Sequence, residues 1–156
     1  MISLSALPTN VADNQQAYVV FSDGNDFKLL KWLKPGFRHC CILLRSDNND
    51  NGPKEWTIID PLSHRLMVQQ VRETKGMPGL PDMLRAKGMT LVSVQCSPAP
   101  RKLAPMLPIS CVEVVKRVIG LHSWRIITPY QLYRYLLKQA IIGADMPFIK
   151  AQHAGA

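Results

Sequence analysis

Long apolar runs are missing from this sequence. The strongest, 17–21 and 40–44, are a few residues each, against roughly 20 for a helix that spans a bilayer. A membrane-spanning helix is therefore excluded. Metal-ligand spacing is missing too: there is no CxxC and no HxxxH, and Cys40 and Cys41, as neighbours on a strand, point to opposite faces. Neither a metal nor a cofactor is expected. A glycine-rich phosphate loop and a GxSxG elbow are likewise absent, since Gly76-Met77-Pro78-Gly79 has no lysine and no strand-to-helix context. Met1 to Asn10 has no basic leader and no apolar stretch, so a cytoplasmic site of action is expected. In that compartment the four cysteines, Cys40, Cys41, Cys96 and Cys111, are expected as free thiols. Repeats, low-complexity tracts and long linkers are absent. The reading is one domain over 1–156, with 144–156 a frayed tail.

What is present suits a globular domain. The 156 residues are 47% hydrophobic and 19% charged, and a chain of this length buries roughly 68–70% of the surface its unfolded form exposes. The net charge of +8 is uneven. Residues 1–50 carry five basic and five acidic groups, 51–100 six and four, and 101–156 eight and two. A basic surface attracts polyanions such as nucleic acid, anionic cell-wall polymer or lipid headgroups, but says nothing of fold.

Twelve prolines and nine glycines cut the chain into short pieces. Strands are predicted over 17–21, 37–44, 55–60, 66–71 and 89–96, from apolar and β-branched runs bounded by turn residues. Residues 37–60 read as a hairpin with a long polar loop, and the strands together as a meandering sheet. Short helices are predicted over 26–33, with Phe27, Leu30, Trp32 and Leu33 as the apolar side, and over 81–87, ended by Gly88. Prolines 98, 100, 105 and 108 make the next stretch an extended connector. Two helices close the chain. Ser110 with Glu113 forms a capping box that starts a helix at Cys111 and carries it to 119, before Gly120. Thr128, Pro129 and Gln131 repeat the device for a helix to about Ile142.

Cys111 is the most informative residue. The capping box puts its thiol on the first turn of a helix, where unpaired N–H groups and the macrodipole favour an anion. Such positions lower a cysteine pKa, and the thiolate is the reacting nucleophile. The competing reading is a small buried hydrophobe. A thiolate needs a base, and the histidines are His39, His64, His122 and His153. His39 stands near the start of an apolar strand, where an imidazole is costly unless it is hydrogen-bonded or opens on a cleft. If Arg45 and Glu55 flank the hairpin loop, partners sum to about 100, which sets His39 opposite the neighbourhood of Asp60 and Pro61. A carboxylate there would fix the imidazole tautomer. Asp60 is equally explained as a turn residue before proline, and His64 competes as the orienting group. Tyr18, in the first strand, reads either as a site residue or as core.

These residues resemble a family. Gly36-Phe37-Arg38-His39 on an early strand, then a strand ending Ile58-Ile59-Asp60, then Ser110-Cys111-Val112-Glu113-Val114-Val115 opening a helix, then Thr128-Pro129-Tyr130-Gln131-Leu132, look like a circularly permuted NlpC-like papain-fold cysteine peptidase or amidase. The likeness covers roughly 36–137. It implies an α+β fold, a papain-like antiparallel sheet packed against helices. It also implies Cys111 as nucleophile, His39 as base and Asp60 as orienting group, the least constant of the three. The implied reaction is acyl transfer from an amide or ester substrate, cell-wall peptide among them, with the Cys111 N–H meeting the oxyanion. The alternative is a noncatalytic binding or assembly protein that uses the basic C-terminal third, with Arg125, Tyr130, Arg134, Tyr135 and Lys138 as its material. A nucleic-acid partner is not favoured. Leu132, Leu136 and Ala140, with 133, 137 and 141, make that helix read as an ordinary core stripe with a solvated face.

Overall fold

The computed structural model describes residues 16–23, 31–46, 54–62, 64–74, 76–97, 110–142 and 151–152. Its elements in chain order are β1 (Gln16–Ser22), β2 (His39–Ser46), β3 (Glu55–Pro61), β4 (Leu66–Arg72), α1 (Leu80–Ala86), β5 (Thr90–Gln95), α2 (Cys111–Val118), α3 (Pro129–Ile142) and the two-residue β6 (Ala151–Gln152). Among the described residues the architecture is α+β: an open antiparallel sheet in the order β4-β3-β2-β1-β5-β6 with three helices. No described helix is long and apolar enough to cross a membrane.

Period-2 alternation sorts the central strands into two faces. Ala17, Val19, Phe21, Cys40, Ile42, Val92 and Val94 join Val112, Val115, Leu132 and Leu136 in one core against α2 and α3. Val20, Leu43, Trp56 and Leu91 form a second core on the other face, with Leu80 and Leu84 of α1 packed against it. β1 is apolar on both faces and takes the centre of the sheet. β4 is exposed along most of its length, Val68 at 60%, and forms an edge.

The expected meander holds from β1 to β4 and then stops. After α1 the chain crosses back, and β5 pairs with β1 rather than extending from β4. Burial explains the crossover: Leu91 and Val92 point to opposite faces and both are buried, so β5 needs cover on each side. The β2–β3 hairpin pairs Ile42 with Ile59 and Leu43 with Ile58, within one residue of the register expected from the loop.

Both C-terminal helices begin where their caps place them. The Ser110 side chain accepts from the Glu113 N–H at 3.3 Å. The Glu113 carboxylate, expected to complete that box, pairs instead with the buried Lys116 one turn on. At α3 the box is reciprocal: Thr128 Oγ1 accepts from the Gln131 N–H at 3.2 Å, and Gln131 Oε1 from the Thr128 N–H at 3.1 Å. Beyond α2, Gly120 adopts φ +74°, and a Cβ there would lie 2.2 Å from the Ser97 carbonyl oxygen. Only glycine lets the end of β5 pass so close.

Three expectations need adjusting. Trp32, placed on the apolar side of a helix over 26–33, is 92% exposed, and most of that helix lies outside the described residues. Ile141 was assigned to the α3 core stripe but is 74% exposed, near the end of the helix. In the C-terminal segment read as frayed, 151–152 pair with β5, and the other residues after 142 lie outside the described set, as does the proline connector from 98 to 109.

Candidate active site

Three elements converge on one sulfur. α2 packs on β2, and its N-cap Ser110 is extended (φ −107°, ψ 164°), so Cys111 opens the first helical turn. The aligned peptide dipoles of the two-turn helix put its positive pole and its unpaired N–H groups at the sulfur, and Lys116 and Arg117 lie at the far, negative end. His39 is the first residue of β2. Its seat is rigid because Phe37, two residues earlier, packs 4.5 Å from the Tyr133 ring and 5.3 Å from the Tyr130 ring of α3, and the Arg38 N–H donates to the Ser22 carbonyl at 3.1 Å.

Asp60 closes the constellation from β3. Its Oδ1 lies 2.6 Å from His39 Nε2, with the two side chains 20% and 17% exposed. The register puts Ile59 opposite Ile42, so the imidazole reaches its carboxylate diagonally across the end of the hairpin. With Nε2 committed to Asp60, Nδ1 is the ring nitrogen left for the Cys111 sulfur, and the two groups act on each other's ionisation.

The electrostatics favour a thiolate–imidazolium pair. Burial works against the charged ring, but the hydrogen bonds to Asp60 and to Cys111 outweigh it and push His39 up to about 9. The Cys111 thiol is brought down to about 5, first by a hydrogen bond from the Cys40 side chain, against burial, then by His39 and by the Cys40 backbone N–H. Between these two values both charged forms prevail together.

Cys40 is the participant that sequence reasoning missed. It is fully buried under α2, and its hydrogen bond to the Cys111 sulfur, with burial second, raises its own pKa well above that of a free thiol. Cys40 therefore stays protonated and acts as donor. The alternation of β2 predicts that Cys40 and Cys41 face opposite ways, as they do; which face receives the helix is a tertiary fact that alternation does not contain.

The other candidates stand elsewhere. His64 is exposed in the β3–β4 connection, and the hydrogen-bond partner at His39 Nε2 is Asp60. Tyr18 lies on the α1 face, its ring 5.7 Å from that of Trp56, and belongs with the second core rather than the site. Cys41, pushed up to about 12 by burial, and Cys96, also raised by burial, are held as thiols. Among the described residues no cluster of His, Cys, Asp and Glu could hold a metal. Surface hollows over β3 and β4 and between β5, α2 and α3 contain none of the three convergent residues. α3 buries Leu132, Tyr133, Leu136 and Ala140 and exposes Arg134 and Lys138, the pattern of a core helix with a solvated charged face.

Comparison with protein-family models, with curated proteins and with solved structures found no match.

Proposed function

We propose that this chain is a thiol hydrolase of the permuted NlpC-like, papain-fold type, which cleaves an amide or ester through a Cys111–His39 acyl-enzyme. The observation that carries the reading is the convergence of a helix-opening cysteine, a histidine and a carboxylate from three elements, with the carboxylate 2.6 Å from the imidazole. A structural role for the same residues would not require a sulfur held as an anion beside a cation in a partly exposed position.

In the proposed reaction the Cys111 thiolate attacks the substrate carbonyl carbon, and the oxyanion is met by the N–H at the head of α2. The His39 imidazolium gives its proton to the departing amine or alcohol as the tetrahedral intermediate collapses to a thioester. The neutral ring then accepts a proton from water, which attacks the thioester and frees the thiol. Asp60 touches no reacting atom; it is a positioning residue that fixes the ring tautomer and favours the charged ring.

A p-nitrophenyl ester tests the reading before any natural substrate is known. Mixing should release a burst of nitrophenolate stoichiometric with protein, followed by slower turnover, and mass spectrometry should find the acyl group on Cys111. Release at the rate of a Cys111→Ala control, without a burst, would refute it. Amide-linked cell-wall peptides are the first natural class to try.

A further inference from the structure

Cys40 and Cys111 set two sulfurs of opposite character in one core at the α2–β2 interface. Cys111 is partly exposed at the start of a helix, whereas Cys40 is 0% exposed on the sheet beneath it. α2 packs on β2, and Cys111 packs against the same core that holds Cys40; each of the two thiols is also the first influence on the other's ionisation. All four cysteines are reduced in this structure. An acyl-transfer mechanism needs one sulfur, and an apolar residue would fill the space under α2 as well as a second thiol does.

We propose that Cys40 is a resolving cysteine: when a hydroperoxide oxidises Cys111, Cys40 closes a reversible Cys40–Cys111 disulfide that masks the nucleophile. In the first step the Cys111 thiolate attacks the terminal oxygen of the hydroperoxide and the O–O bond breaks. Sulfur is oxidised to the sulfenic acid, the peroxide is reduced, and the departing alkoxide or hydroxide takes its proton from the His39 imidazolium. In the second step neutral His39 accepts the Cys40 proton and the Cys40 sulfur attacks the Cys111 sulfur. The S–O bond breaks, and the hydroxide leaves as water with the proton returned by His39. The thiolate of Cys111 is the largest influence holding Cys40 protonated. Oxidation removes that charge, so the resolving thiol becomes easier to ionise only once there is something to resolve. A dithiol reverses the bond by thiol–disulfide exchange.

The inference rests on the reactive Cys111 of the proposed hydrolase but requires no acyl substrate, so the two readings can fail separately. The wild-type chain is treated with a small excess of hydrogen peroxide, free thiols are blocked, and tryptic peptides are analysed by mass spectrometry. The expected product is the 39–45 peptide joined to the 103–116 peptide, two hydrogens lighter than their sum, which a dithiol separates with recovery of Cys111 labelling. Cys41 shares the first peptide; a Cys41→Ser chain should give the same linkage and a Cys40→Ser chain should not. In the Cys40→Ser chain, with folding checked by circular dichroism, Cys111 should pass to the sulfinic acid, which a dithiol does not restore. Wild-type Cys111 that goes to sulfinic acid while Cys40 stays free, or that pairs with Cys41, Cys96 or a second chain, would overturn the inference. A clean Cys40–Cys111 linkage in a chain with no ester burst would leave it standing and sink the hydrolase alone.

Discussion

Replacing Cys111 with serine should abolish the ester burst and leave turnover at background, and His39→Ala should lower kcat/KM by about 10²- to 10⁴-fold, the range for a lost general acid and base. The two changes act differently. Serine keeps nearly the shape of the thiol but brings a hydroxyl that the hydrogen bonds of Cys40 and His39 cannot ionise near neutral pH. Alanine at 39 leaves the sulfur with Cys40 and the helix terminus as anion stabilisers, so alkylation by a small electrophile is slowed while protonation of the leaving group is lost altogether. Asp60→Asn should fall between wild type and His39→Ala, because it removes the negative charge 2.6 Å from Nε2 but leaves the ring in place. Steady-state kinetics on one ester, with circular dichroism as a folding control, checks all three. Equal loss in every variant with intact folding would argue for a site of another kind.

Lys116→Met should cost about 3 to 5 kcal/mol of folding stability, the range for breaking a buried ion pair from one side. Lys116 is 2% exposed and Glu113 4%. The ammonium pairs with that carboxylate one turn back and also donates to the carbonyls of Ser123 at 2.6 Å and Ile126 at 2.9 Å. One cation therefore neutralises the buried acid of α2 and ties down the connection that leads into α3. Methionine fills the volume but strands a charge and two carbonyl oxygens. Glu113→Leu combined with Lys116→Met should recover most of the loss, since replacing both charges by apolar groups removes the uncompensated one. Denaturant unfolding of the single and double variants checks this. A single variant within about 0.5 kcal/mol of wild type, the ordinary range for surface changes, would mean the pair is solvated.

Features written in neighbouring residues were legible in the sequence. Ser110 and Thr128 mark the starts of α2 and α3 because a cap needs only a side chain and the N–H three positions on. The His39–Asp60 pairing was legible because a single loop sets the register of β2 on β3. Contacts between elements distant in sequence were not. The strands give no sign that β5 returns to β1, since an apolar run fits any central place in a sheet. Nothing beside Cys40 in the chain distinguishes it from the other free thiols; the packing of α2 on its face of the sheet does. The burial of Lys116 has no local sign either, because nothing in α2 announces that the connection into α3 will fold over it. The meeting of Cys111 with His39 was expected from resemblance to a family rather than from spacing, and the contact between α2 and β2 is what supplies it.

The account stands on the ionisation of one sulfur. The rate of Cys111 alkylation by iodoacetamide, followed by mass spectrometry of the 103–116 peptide from acid to alkaline pH, measures that ionisation directly. The predicted profile is half-maximal at about 5, with His39→Ala moving the midpoint toward alkaline pH. A single rise centred near the free-thiol value of about 8.5, the same with and without His39, would contradict it.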